Sequence, residues 1–269
     1  VTQVNEDQPR HGPAALLGFV SGNAAVAGAV MFYMGWVYTD AWLGHFDINP
    51  LDLNIGFTEY ALRGLSVFSP AVVAAGAVVV LLIVHGLVAA PALSERGRRI
   101  VRRTASTLSV GGIAGYLLSG TVNVPTYLVL ALLGIGPLLL VRSAPAAPPG
   151  RYVHSLALVI AALCGLWALA LYASGKGTQA ARHVARDLPN RTAAVVYSTH
   201  RLAISGPGVQ VEELPKGTQF GFRYTGLRLL VARADRYYLL PVGWKERLSA
   251  TYILRDGDDL RVELYAGTR

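Results

Sequence analysis

Up to about residue 172 the apolar positions of this chain fall in long uncharged blocks, and beyond it they fall in short runs broken by charge. Residues 14–38 and residues 67–93 contain no Asp, Glu, Lys or Arg. A third block, residues 104–141, holds 38 uncharged positions. As one helix it would run roughly 57 Å at about 1.5 Å per residue, against a hydrocarbon core of about 30 Å. The pattern therefore predicts two spans, 104–119 and 125–141, turned back by Ser119-Gly120-Thr121-Val122-Asn123-Val124-Pro125. Residues 152–172 predict one more. The expected architecture is a membrane all-α bundle of five transmembrane helices over residues 1–172. A small soluble α+β domain with an antiparallel sheet follows over residues 173–269.

Within that second part the pattern changes period. Residues 179–188 predict a short helix bearing Arg182, His183 and Arg186, and the β-branched, apolar run 192–198 predicts a central strand. Runs 227–231 and 237–240 predict one hairpin. Runs 251–254 and 260–264 flank Arg255-Asp256-Gly257-Asp258-Asp259 and predict another, since Asp-Gly favours a tight type I′ turn.

Composition sharpens this picture. The chain is 53% hydrophobic and 15% charged, where an ordinary soluble domain carries about 25% charged residues. Neither disorder nor a plain soluble globule fits. The net charge is +8, and residues 174–269 hold fifteen Lys/Arg against nine Asp/Glu, a net of +6. The single Cys, Cys164, excludes an internal disulfide and a cysteine-based zinc site.

Charge placement predicts orientation. Arg96, Arg98, Arg99, Arg102 and Arg103 cluster between the second and third predicted spans, and Arg142 and Arg151 lie between the fourth and fifth. Short cationic loops stay in the cytoplasm. The expectation is a multi-pass plasma-membrane protein with a cytoplasmic N-terminus and an extracytoplasmic C-terminal domain. The first span is too long for the apolar core of a cleavable signal peptide.

The loop 39–65, expected outside, carries Trp42, Phe46, Leu51, Leu53, Ile55, Phe57, Tyr60 and Leu62. That many large apolar side chains predict a partly helical segment lying at the lipid interface or packed under the C-terminal domain, with Thr58 capping a helix into the second span. Trp36, Tyr38 and Trp42 suit an interfacial aromatic belt.

Candidate chemistry is sparse. Asp40, His45, Asp47 and Asp52 offer O and N donors, but no HExxH or comparable spacing organises them, and no metal or other cofactor is expected. A Gly-x-Ser-x-Gly elbow is missing around Ser21 and Ser205, and Gly175-Lys176-Gly177-Thr178 lacks the upstream glycine of a phosphate-binding loop. The predicted spans carry almost no ionisable side chains, which argues against a transporter acting alone. Their glycines, Gly18, Gly22, Gly28, Gly111, Gly112 and Gly115, favour close helix packing.

Three passages resemble a family of actinobacterial multi-pass membrane proteins of uncharacterised activity. The first comprises Phe32-Tyr33-Met34-Gly35-Trp36, Ala41-Trp42-Leu43-Gly44-His45-Phe46 and Tyr60-Ala61-Leu62-Arg63-Gly64. The second comprises Val195-Val196-Tyr197-Ser198 and Arg201-Leu202-Ala203-Ile204-Ser205-Gly206-Pro207-Gly208. The third comprises Phe222-Arg223-Tyr224-Thr225-Gly226-Leu227-Arg228-Leu229-Leu230 and Tyr238-Leu239-Leu240-Pro241-Val242-Gly243-Trp244. The resemblance implies a surface location and a high-GC Gram-positive source, which 21 Arg to three Lys also suits. It implies no activity.

The resulting expectation is a non-enzymatic surface protein that recognises or docks an extracellular protein, a toxin or phage component included. The alternative is an accessory or scaffold subunit of a transporter or envelope-assembly complex. Candidate binding residues are Trp42, His45 and Asp47 in the loop, with Arg223, Arg228, Tyr237 and Trp244 on a cationic, aromatic face. The expected partners are the lipid bilayer, an extracellular protein and an anionic wall polymer. Nucleic acid is excluded by the side of the membrane on which the basic domain is expected.

Overall fold

The computed structural model describes residues 13–68, 94–118, 139, 150–233, 235–255 and 257–267. Four α-helices and six strands are assigned among them: α1 (Pro13–Gly44), α2 (Phe57–Val67), α3 (Glu95–Leu118), α4 (Gly150–Arg186), β1 (Ala193–Ser198), β2 (Gln210–Glu213), β3 (Phe222–Arg233), β4 (Arg236–Pro241), β5 (Tyr252–Arg255) and β6 (Leu260–Tyr265). Two short 3-10 turns, Pro50–Leu53 and Leu188–Asn190, complete the list.

This arrangement corrects the expected five-helix membrane bundle. Among the described residues one stretch, Val159–Arg186, is long and apolar enough to cross a membrane, with a mean hydropathy of 1.5 over its most apolar 18-residue window. The reasons are local. α2, with 11 residues, falls almost wholly in the partly helical loop 39–65 expected between the first two spans. α3 starts at Glu95 and takes in the whole arginine cluster that the charge pattern had assigned to a loop. The expected spans 67–93 and 125–141, the turn 119–125 and Arg142 lie, but for Val67, Phe68 and Leu139, outside the described residues.

The chain divides into two compact units, one of residues 1–36 and 57–173, the other of Val37–Gly56 and Ser174–Arg269. In the first, α1 and α2 meet through glycines. A Cβ on Gly35 would overlap the Tyr60 carbonyl oxygen, and one on Gly64 would overlap that of Met31. The contact is closed by Phe32, stacked on Phe57 at 4.8 Å and edge-on to Tyr60 at 5.6 Å.

The second unit is built on a six-stranded antiparallel sheet of order β5-β4-β3-β1-β6, with β2 on β3 off that path. β3 is the organiser. It pairs with β1 along one side, and with β2 and then β4 along the other. The change of partner falls at Gly226, whose φ of +82° suits a residue without Cβ and whose missing side chain admits the Gly208 carbonyl. The register with β1 slips between Ala194 and Val196, opposite this point.

The predicted hairpin of β5 and β6 does not form. β5 pairs with β4, and β6 with β1. The two are nevertheless joined by only residues 256–259, with a turn bond from Leu260 N to Gly257 O. Four strand spacings of about 4.8 Å make roughly 19 Å, and five fully extended residue steps reach only about 17 Å. The sheet must therefore curl, so its concave face is shared by both edges. Tyr252 and Leu254 of β5 and Leu260 and Val262 of β6 pack against one core with Ala194, Val196, Ile204, Tyr224, Leu227 and Leu239.

The opposite face of the sheet carries a second core. Leu230, Tyr238, Leu240 and Trp244 bury against Leu43 and Phe46 at the end of α1, Ile48 and Leu53 of the following loop, and Ala181 and Leu188 at the end of α4. Apart from the exposed Leu51, the large apolar side chains of residues 42–55 are thus core material. Two hydrogen bonds hold that loop down: Thr251 Oγ1 donates to Phe46 O at 2.7 Å, and Arg233 Nε donates to Leu53 O at 3.2 Å.

The segment 199–209 between β1 and β2 contains no regular element, and tyrosine hydroxyls satisfy its backbone at Leu202 and Ser205. Tyr224 accepts from Leu202 N at 2.6 Å and donates to Leu202 O at 3.2 Å. Tyr252 does the same for Ser205, accepting at 3.0 Å from its N–H and donating to its carbonyl.

Candidate docking cleft

The end of α1 turns at His45-Phe46-Asp47, where Ile48 N reaches back to Leu43 O at 3.1 Å. This places Trp42, His45 and Phe46 in one aromatic group with Trp244. Trp42–Phe46, His45–Phe46, His45–Trp244 and Phe46–Trp244 ring centroids lie 5.4, 5.2, 5.7 and 5.1 Å apart. Edge-to-face and tilted pairs at such distances are favourable arrangements of ring quadrupoles. The His45 side chain is only 4% exposed, with Nδ1 3.5 Å from a carboxylate oxygen of Glu246.

Above this floor opens a shallow cleft of about 260 Å³ lined by His45, Arg182, Ala185, Arg186, Trp244 and Glu246. Arg182 and Arg186 stand one helical turn apart on the last turns of α4, so both guanidinium groups serve the same face. Neither forms an ion pair among the described residues. Glu246 supplies the only carboxylate in the lining, half-exposed and directed at His45. The cleft is thus cationic at its rim and aromatic at its base.

Three of the seven candidate residues, Trp42, His45 and Trp244, come together here. Asp47 is exposed in the turn with φ +57°. Arg223 lies on β3 and pairs with Glu212 of β2 at 3.2 Å. Its guanidinium is held above its ordinary range first by the Glu212 hydrogen bond and then by Tyr197. Arg228 donates through Nε to Pro189 O at 3.2 Å. It sits in register with Leu240 on the outer face, whereas Tyr237 packs on the concave core. The expected Arg228–Tyr237–Trp244 surface is therefore split between two faces of the sheet.

Arg182, Arg186 and Glu246 are the members that sequence reasoning did not select. The i, i+4 arginine spacing was the available signal; Glu246 had none, because its approach to His45 is a contact across some 200 positions. Among the described residues no three His, Cys, Asp or Glu side chains gather to hold a metal ion. Asp187 accepts from Asn190 Nδ2 at 2.8 Å, and His200 is exposed. Comparison with known proteins finds no matching family, no matching characterised protein and no matching solved structure.

Proposed function

We propose that this chain is a non-enzymatic, membrane-anchored docking protein of the cell surface, whose Arg182/Arg186 cleft receives an acidic side chain of an extracellular protein. The observation that carries the reading is the cleft. Two arginines that form no ion pair among the described residues flank an aromatic floor, an arrangement suited to a carboxylate on a rigid partner. At about 260 Å³ it falls below the roughly 300–1,000 Å³ typical of small-molecule sites, which favours a single protruding side chain over a free metabolite. Anchorage is supported by α4, where Leu156, Val159, Leu163 and Trp167 are exposed, Leu163 at 60% and Trp167 at 48%. Large apolar side chains in one uncharged helical run need a cover that water does not give. The arginine-rich stretch 96–103 and Arg151 at the start of α4 belong on the cytoplasmic side, and a crossing by α4 puts residues 174–269 on the other.

The test uses the full-length chain on intact cells, with a photo-crosslinking residue at Lys245 and a C-terminal tag. Irradiation in the presence of the secreted-protein fraction is expected to give an adduct that disappears in Arg182→Glu/Arg186→Glu. An adduct that survives the double reversal removes the cleft from the reading. A tag reached by antibody only after permeabilisation overturns the surface location. Co-purification with another membrane protein alone favours an accessory-subunit role instead.

A further inference from the structure

α3 is chemically graded along its length, and the grading is confined to one face. Arg99, Arg103, Ser106, Thr107 and Val110 recur at steps of four, three, one and three residues, the spacing of a single helical face. They line an open groove of about 700 Å³. The opposite face of the helix is turned inward, with Ala105 and Gly112 buried. Ile113, three residues beyond Val110, continues the groove-facing stripe and is exposed, as Val110 is. Arg99 and Arg103 form no ion pair among the described residues.

The order of chemistry along the groove is cation, hydroxyl, hydrocarbon. Arg99 and Arg103 are separated by about 6 Å along the axis, and Val110 and Ile113 lie about 10 and 15 Å past Arg103. A phosphate ester bridged by two guanidinium groups, a glycerol beside Ser106 and Thr107, and an acyl chain along Val110 and Ile113 match that sequence of environments. The headgroup layer of a bilayer is about 5–8 Å deep on each side, so these spacings agree with the depth at which lipid chemistry changes. Arg96, Arg98 and Arg102 on the same helix, against Glu95 alone, add an anion-attracting field.

We infer that this groove binds one anionic phospholipid of the surrounding bilayer, held by Arg99 and Arg103 at the phosphate and by Val110 and Ile113 at the chain. The inference rests on the membrane anchorage proposed above. A neutral zwitterionic lipid would share the hydrocarbon contact but present no net negative charge to the arginines. A free phosphate would use the arginines and forgo the apolar half.

The test is native mass spectrometry of the full-length chain in mild detergent, with phosphatidylglycerol, phosphatidylcholine or inorganic phosphate added separately. The expected result is a one-to-one phosphatidylglycerol adduct retained at least about tenfold better than phosphatidylcholine. Arg99→Gln/Arg103→Gln, both exposed and therefore tolerated by the fold, is expected to abolish that preference. Val110→Asp is expected to weaken retention while leaving the preference in place. Equal retention of both lipids, a phosphatidylglycerol preference unchanged in the arginine variant, or displacement of the lipid by equimolar inorganic phosphate overturns the proposal. A chain that stays monodisperse without detergent and retains neither lipid overturns the membrane reading as well; failure of lipid selectivity alone leaves that reading intact.

Discussion

Two tyrosines, each fully buried on its own face of the sheet, are expected to respond oppositely to loss of the hydroxyl. Tyr224 has no exposed surface and serves both the N–H and the carbonyl of Leu202. Phe at this position keeps the ring and leaves two backbone groups without partners. At about 0.5–1.5 kcal/mol net for each hydrogen bond, the loss is about 1–3 kcal/mol. For a unit of this size that corresponds to a melting shift of roughly 3–15 °C downward. Tyr238 is equally buried, but its hydroxyl has no hydrogen-bond partner among the described residues. Tyr238→Phe removes a polar group already taken from water without compensation, so it is expected to be neutral or to raise the melting point. Thermal unfolding of the full-length chain in detergent reads both variants on one scale. Hydrogen–deuterium exchange of the peptide covering residues 199–209 adds the local signature: Leu202 exchanges faster in Tyr224→Phe and unchanged in Tyr238→Phe. Equal shifts in the two variants, or an unaltered Leu202 amide in the first, would refute the assignment of that segment's stability to tyrosine hydroxyls.

Three further outcomes follow from local geometry. Gly226→Ala is expected to cost at least about 2 kcal/mol, because strain at positive φ combines with overlap of the Gly208 carbonyl. Gly257→Ala, with open space around it, serves as the near-neutral control in the same melt. Gly35→Ala is expected to separate α1 from α2, since the new methyl meets the unyielding backbone of Tyr60 and Gly64. Loss of protection in residues 57–67 by hydrogen–deuterium exchange checks it. The Tyr265 phenol is held above its ordinary range first by its hydrogen bond to Glu263. A raised folded pKa means that this pair's contribution is present below about pH 10 and is lost as pH rises through the folded value. Ultraviolet titration of Glu263→Gln should show one phenol ionising at lower pH than in the parent chain, and an unchanged curve would contradict the assignment.

The strands that declared themselves in sequence were those with a buried face. Residues 192–198 read as a strand because Ala194 and Val196 face a core, and β3 and β4 read as apolar runs for the same reason. β2 was invisible: Gln210-Val211-Glu212-Glu213 is exposed at every position and is held by β3 through backbone pairing and Arg223. Hydrophobic periodicity cannot report a strand that buries nothing. A turn does close from Gly257 to Leu260, yet turn chemistry does not choose pairing partners: β5 pairs with β4 and β6 with β1. The five-helix reading failed where charge and helix overlapped, because α3 takes in the arginine cluster expected as a loop. In the cleft, Trp42, His45 and Trp244 were selected as aromatic or titratable side chains, but their assembly depends on the packing of residues 42–55 beneath the sheet.

β3 has a consequence for how this sequence can vary. Three strands take their alignment from it, β1 along one side and β2 and β4 in succession along the other. A residue inserted on either side of Gly226 would reverse the facing of every later side chain against two neighbours at once, exchanging the two cores. β3 is thus the length standard of the unit, and relatives are expected to keep its spacing through Gly226 unchanged. β2 contributes no side chain to either core, so insertions should collect in and around it, and chain length is free to drift there.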